Sequence, residues 1–269
     1  MLEAEKKHAS QEARKIVIIG CGNVAWHLAK QLYKKFDLII YNHQANAQLA
    51  EFKKEFNALT YSSIKKIIPN ADAYFICVTD SSIASVIKTT SLTPSSNVLI
   101  CSGNFDLASV KTNLKNLSIF YPLQTFSKDA KIKWKDTLVV IDSVSQATFL
   151  KAQSVCLYFS KQIVQLNYQQ RLKLHLAAVL VNNFTNALFV EADALMHSVR
   201  KDLHITTLLP LIKQGTKKLK YMSAKAAQTG PAKRKDQIVI DKHLEILKNN
   251  KELKQIYILL SDLITKQQK

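Results

Sequence analysis

Glycine is scarce here, with five in 269 residues against about 7 per cent in an average chain. A sequence this poor in glycine uses it for geometry, and two of the five stand almost together at Gly20 and Gly22. Cysteine is also sparse. Cys21, Cys77, Cys101 and Cys156 show no Cys-x-x-Cys spacing, which argues against disulfides and against a cysteine-based metal centre. Buried reduced thiols are expected, and no metal. Acidic residues are outnumbered 20 to 38 by lysine and arginine, giving a net charge of +18. Arginine is scarce, however, and lysines are spread along nearly every amphipathic segment with no nucleic-acid motif or aromatic platform beside them. That distribution favours solvated lysine faces and makes nucleic-acid binding the weakest reading, while the charge still attracts anionic cofactors and acidic substrates. Long uninterrupted apolar runs are missing too. The longest tract, Leu174 to Val190, is broken by His175, Asn182, Asn183 and Asn186, which suits a buried helix better than a membrane span. The stretch Met1 to Arg14 is hydrophilic and has no apolar centre, so a charged tail over 1–13, no signal peptide and a cytoplasmic protein are expected.

What is present is more specific. Hydrophobic residues make up 47% of the chain, enough for substantial cores. Lys15-Ile16-Val17-Ile18-Ile19-Gly20-Cys21-Gly22-Asn23-Val24-Ala25 is a β-branched run that breaks on Gly-x-Gly and turns amphipathic. Gly20 permits a tight turn out of a strand. Gly22, lacking Cβ, lets a dinucleotide pyrophosphate approach the backbone, and the helix opening near Asn23 offers unpaired N–H groups to its phosphates. Gly20, Cys21, Gly22, Asn23 and Val24 are therefore candidate cofactor-binding residues.

Strand and helix patterns then alternate. Strands are predicted at 38–42, 73–78 and 98–101, with 117–121 and 138–141 extending the sheet, the last as a candidate edge. This is an α/β, Rossmann-type doubly wound parallel sheet. Beyond about residue 144 helical patterns dominate, at 146–159, 170–199, 207–227, 237–247 and 251–265, with a possible short strand at 163–166. The predicted organisation is a dinucleotide-binding domain over 14–147 and an all-α substrate and dimerisation domain over 148–269. The second strand ends Tyr41-Asn42-His43-Gln44, without the acid that an NAD-selective site uses on the ribose. NADP is favoured over NAD, with Asn42 and His43 either beside a 2′-phosphate or simply in an exposed loop. Val78, Thr79, Asp80, Ser102 and Gly103 lie at other strand ends, where open α/β sheets bind ligands. Thr79, Asp80 and Ser102 serve equally well as helix caps or turn formers.

Three further segments, Tyr121-Pro122-Leu123-Gln124-Thr125-Phe126, His175 to Phe184 and Thr229-Gly230-Pro231-Ala232-Lys233-Arg234-Lys235-Asp236, complete a resemblance. Together with the glycine motif, the sequence resembles a family of uncharacterised Rossmann-like proteins with a helical C-terminal domain. These are related to pyrroline-5-carboxylate reductase and to the 6-phosphogluconate dehydrogenase superfamily. The resemblance implies a homodimer and places Tyr121 and Gln124 at the substrate. Two positions depart from the family pattern: it commonly has His where Tyr121 stands and Gly where Lys235 stands.

On an unbroken α-helix, positions 175, 182 and 186 fall within about 40° of one another. His175, Asn182 and Asn186 then share a stripe that either satisfies itself in the core or faces a cleft. In the cleft reading His175 supplies acid–base catalysis, Asn182 orients the substrate and Asn186 lines it. Arg234 grips a substrate carboxylate or is an ordinary surface arginine. The sequence thus reads as an NADP-dependent oxidoreductase of a small, anionic carbonyl or imine metabolite. The alternative is a catalytically silent dinucleotide sensor or interaction module.

Overall fold

The computed structural model describes residues 14–65 and 67–268, so the expected tail over 1–13 lies outside the described residues. Two compact units follow one another along the chain, the first ending at Ala178 and the second beginning at Val179.

In the first unit the alternating pattern becomes β1 (Lys15–Ile19), α1 (Asn23–Leu32), β2 (Asp37–Tyr41), α2 (Ala47–Phe56), β3 (Leu59–Tyr61), β4 (Ala73–Ile76), α3 (Asp80–Thr89), β5 (Asn97–Ile100), β6 (Asn116–Pro122), β7 (Val139–Ser143), α4 (Gln146–Cys156), β8 (Ile163–Gln165) and α5 (Tyr168–Ala178). The sheet has eight strands in the order β3-β2-β1-β4-β5-β6-β7-β8. Every neighbouring pair is parallel except β6 with β7. Strands covered on both faces must be apolar on both sides, and β4 is buried throughout while β1 is buried from its second residue onward.

One face is covered by Ala25, Leu28, Ala29 and Leu32 of α1, Leu49, Phe52 and Phe56 of α2, and Ala152, Val155 and Cys156 of α4. The other receives Ile83, Val86 and Ile87 of α3. Each large apolar side chain so buried contributes roughly 1.5–3 kcal/mol relative to exposure. The order reverses where β1 lies between β2 and β4, and the crevice outside the carboxyl ends of β1 and β4 is the place where such sheets bind ligands.

Two details differ from the sequence reading. β7 is an interior strand, and β8 forms the edge instead. β3 carries no apolar run that could have announced it, only Leu59-Thr60-Tyr61 on the opposite edge.

The second unit is helical, as expected. A π-helical turn over Val179–Phe184 leads into α6 (Thr185–Val199), a 3₁₀ turn (Ile205–Leu208), α7 (Leu209–Lys218), α8 (Ala224–Ala227), α9 (Pro231–Arg234), α10 (Gln237–Ile246) and α11 (Lys251–Gln267). The single helix expected over 170–199 is thus α5, a π turn and α6. Its expected burial is corrected as well: from Tyr168 to Val199 only Arg171 is buried, and Val181, Phe184 and Val190 are 75%, 56% and 61% exposed. Leu176, Leu180, Leu195 and Val199 are exposed along the same segment.

Candidate active site

The crevice is built around a backbone turn. Gly20 leaves β1 with φ +106°, and a Cβ there would stand 2.2 Å from the Cys77 carbonyl oxygen. Its N–H donates to the Tyr41 carbonyl at 2.7 Å, so the turn also ties β1 to β2. A side chain at Gly20 would break both the turn and the approach of β4. Gly22 is a different case. Its backbone is extended, with φ −78° and ψ −172°, and a Cβ would meet no protein atom within 4 Å. The protein does not demand glycine there, whereas a phosphate lying against the main chain does. Gly22 precedes α1 without a side-chain cap, and the first turn of α1 carries no acidic residue. Its N–H groups and positive dipole end are left for an anion.

A cavity of about 530 Å³ opens against this turn. Its lining brings together Gly20, Cys21, Gly22, Asn42, His43, Val78 and Thr79, and adds Asn46, Gln48 and Ser82, which the sequence reading missed. The lining includes no Asp or Glu, so nothing in it repels a ribose 2′-phosphate. Asn42 is buried and its amide donates to the Gln44 carbonyl at 2.9 Å, holding the turn after β2. Asn46 caps α2 by accepting from the Leu49 N–H at 2.8 Å. Its Asx position three residues before Leu49 was the signal that could have found it.

Other expected cofactor residues are placed elsewhere. The Asn23 amide donates to the Phe126 carbonyl at 3.1 Å, fastening α1 to the Pro-Leu-Gln-Thr-Phe segment. Val24 packs against the core below α1. Asp80 begins α3 directly after its cap residue Thr79, whose hydroxyl pairs with that of Ser82 at 3.0 Å. Ser102 is buried, and its hydroxyl accepts from the N–H groups of Asn104 and Phe105 at 3.1 and 3.0 Å. It shapes the turn after β5.

That turn presents Gly103 to a pair of side chains. Tyr121, at the carboxyl end of β6, lies with its hydroxyl 2.9 Å from His175 Nδ1 on α5. A Cβ on Gly103 would stand 3.0 Å from the Tyr121 ring and 3.2 Å from His175 Nδ1, so the absence of a side chain at Gly103 is what admits the pair. Asn104 Nδ2 lies 3.5 Å from His175 Nε2. Burial pushes the Tyr121 phenol up from its ordinary pKa, with Arg171 pulling the other way. Tyr121 therefore stays protonated at neutral pH and shares a hydrogen bond with an imidazole.

Arg171 holds this geometry in place. It is fully buried one helical turn before His175. Its guanidinium donates to Asp142 Oδ2 at 3.0 and 3.3 Å, to the Gly103 carbonyl at 2.7 Å and to the Phe105 carbonyl at 2.8 Å. One side chain thus pins α5 to β7 and to the turn that faces the Tyr121–His175 pair. The sequence reading missed both Arg171 and Asp142.

Gln124 accepts from the adjacent Thr125 N–H at 2.9 Å within its own loop. Asn182, Asn186 and Arg234 belong to the second unit and are exposed. The angular count that aligned Asn182 and Asn186 with His175 assumed an unbroken α-helix. The π turn over Val179–Phe184 intervenes, and its wider i→i+5 turn removes the basis for that count.

Residues 15–103 match the family described as "NADP oxidoreductase coenzyme F420-dependent", and residues 137–264 match "Domain of unknown function (DUF2520)". No curated protein matches the sequence. Among solved structures, a Bacteroides fragilis protein provisionally described as an NADP oxidoreductase is 28% identical with a TM-score of 0.84, covering 94% of this chain and 98% of that one. A reductive aminase from Aspergillus terreus, in complex with NADPH and ethyl-5-oxohexanoate, is 18% identical with a TM-score of 0.65, covering 94% and 93%. A pyrroline-5-carboxylate reductase from Coxiella burnetii is 17% identical with a TM-score of 0.56, covering 95% and 97%. The latter two likenesses concern the fold. Residues 15–103 are thus similar to the one family and residues 137–264 to the other, over a Rossmann-type sheet followed by a helical C-terminal region.

Proposed function

We propose that the protein is an NADP-dependent oxidoreductase of a small, anionic carbonyl or imine metabolite, with Tyr121 and His175 as its proton-transfer pair. The observation that carries this reading is the hydrogen-bonded Tyr121–His175 pair at the carboxyl edge of the sheet whose glycine turn fits a pyrophosphate. The main chain at Gly20–Gly22 and the N-terminus of α1 would hold the phosphates, and Asn42, His43, Asn46 and Gln48 the adenosine end. NADPH supplies the hydride when bound. Reduction of a C=O or C=N bond leaves negative charge or a basic nitrogen that needs a proton. The Tyr121 hydroxyl and His175 Nδ1 are 2.9 Å apart. When the imidazole carries a proton on both nitrogens, Tyr121 can give its hydroxyl proton to the product and take the Nδ1 proton in return, which leaves a neutral phenol and a neutral imidazole. The protein's further contribution is orientation and electrostatics, and a net charge of +18 favours anionic substrates.

In the second unit Asn182 and Asn186 are assigned to substrate orientation and Arg234 to a substrate carboxylate. The reading includes a cytoplasmic homodimer. Reduced thiols fit that compartment, and the second unit exposes Val181, Val199, Leu211, Ile238 and Ile246 by 70% or more, a surface suited to a second copy. Light scattering of the full chain measures the dimer.

The experiment is NADPH oxidation by the purified protein with a panel of oxo-acids, imines and amine–carbonyl pairs. Turnover is expected, with His175→Ala and Tyr121→Phe each lowering kcat/KM by about 10² or more, and Arg234→Ala raising KM for carboxylates. Tight NADPH binding without turnover across the panel supports the sensor reading instead.

A further inference from the structure

The second unit brings together two histidines and an aspartate that have no role assigned above. Asp193 and His197 stand one turn apart on α6, and the chain returns after Val199 to place His204 immediately before the 3₁₀ turn at Ile205. One carboxylate oxygen and one ring nitrogen from each histidine all lie within 4.8 Å of one another. The imidazole rings meet edge to face with centroids 4.5 Å apart. Asp193 Oδ2 lies 3.7 Å from His197 Nδ1, while its other oxygen, Oδ1, accepts from the Ile205 N–H at 2.5 Å. We propose that Asp193, His197 and His204 form a binding site for a single divalent transition cation of the zinc type.

Three arguments carry the assignment. The donor set is two imidazole nitrogens and one carboxylate oxygen, which selects zinc and its late first-row neighbours over magnesium or calcium, whose sites are built of oxygen. The spacing is that of a helix chelate, since residues four apart project from the same face, and the third donor comes from the turn that follows. The carboxylate is already oriented: the Ile205 N–H holds one oxygen, as outer-shell partners of metal ligands commonly do, and the other faces the imidazole. Around a tetrahedral ion with bonds of about 2.0–2.1 Å, donor atoms sit about 3.3 Å apart. Closing from 4.8 Å asks only for side-chain rotation in partly exposed groups. Three protein ligands leave at least one position for water. The ion would clip the turn over 200–204 onto the end of α6, a role independent of hydride transfer. Cysteine spacing alone predicts no metal. This cluster uses none of the four thiols.

The test uses the full chain, freed of metal by chelator and dialysis, and titrated with Zn(II) by calorimetry and with Co(II) by visible absorption. One equivalent is expected to bind, with a ligand-field spectrum of a nitrogen–oxygen site and a raised Tm. His197→Ala and His204→Gln are each expected to weaken binding about tenfold or more, and His243→Ala to leave it unchanged, because His243 is engaged with the Tyr257 hydroxyl at 2.8 Å. Circular dichroism of each metal-free variant confirms that folding is retained at these surface positions. Failure of the wild type to bind an equivalent, or equal affinity in wild type and the His197→Ala/His204→Gln double variant, overturns the proposal.

Discussion

Replacing Arg171 by methionine removes the charge that joins α5 to the sheet and keeps most of the side-chain volume. The Arg171 side chain is 0% exposed and that of Asp142 only 17%, so the two ions have exchanged water for each other, and Arg171 also for the Gly103 and Phe105 carbonyls. Removing one member of such a pair leaves a largely buried carboxylate uncompensated, at a cost of about 3–5 kcal/mol. Little of that is a cavity term, since methionine fills the space of the aliphatic stem. Trp26 and Trp134 both lie in the first unit, so guanidinium unfolding followed by tryptophan fluorescence reports this unit. Arg171→Met is expected to lose about 3–5 kcal/mol, and Arg171→Met/Asp142→Leu to recover at least about 1 kcal/mol through coupling. An exposed pair such as Arg200–Asp202, with side chains 67% and 70% exposed, contributes at most about 1 kcal/mol. A loss of that small size for Arg171→Met would refute the claim that a buried ion pair anchors the helix carrying His175.

Other outcomes follow from single observations. Lys235 sits in the left-handed region with φ 56°, where glycine is unstrained, and Lys235→Gly should stabilise the second unit by roughly 0.5–1 kcal/mol in thermal unfolding; destabilisation would contradict the strain. Burial pushes the phenols of Tyr41, Tyr74 and Tyr121 and the Cys156 thiol above their ordinary pKa values. Above about pH 9 for the thiol and about pH 10 for the phenols, the unfolded chain gives up protons that the folded chain keeps. The stabilisation tied to each group is therefore complete below its unfolded value and lost as pH rises through the folded one. Unfolding midpoints should fall from about pH 9 to 11, less steeply in Tyr121→Phe, and a flat profile would contradict this sign.

Legibility in the sequence tracked the range of the interaction. Gly20 and Gly22 were readable because a strand, a tight turn and a helix N-terminus are specified within eleven residues. β1, β2, β4 and β5 announced themselves as apolar runs because strands buried on both faces have no other composition available. Tyr121 and His175 were each visible within a motif. Their contact spans 54 positions and depends on how β6 and α5 pack. Arg171 carried no local signal at all: its burial follows from Asp142, Gly103 and Phe105, which are distant in sequence. The angular alignment of Asn182 and Asn186 with His175 lost its basis because α-helical periodicity was extended across a π turn. The burial expected for the same segment failed because apolar composition says that a side chain seeks cover, and does not say that its own unit provides it.

The central claim is that a dinucleotide pyrophosphate lies against the main chain at Gly22, and Gly22→Val tests it most directly. A Cβ at this position meets no protein atom within 4 Å and the backbone is extended. The variant should therefore fold with an unfolding midpoint close to that of the wild type, while the Kd for NADPH measured by fluorescence titration rises at least about tenfold. Wild-type affinity in a normally folded Gly22→Val protein would contradict the account.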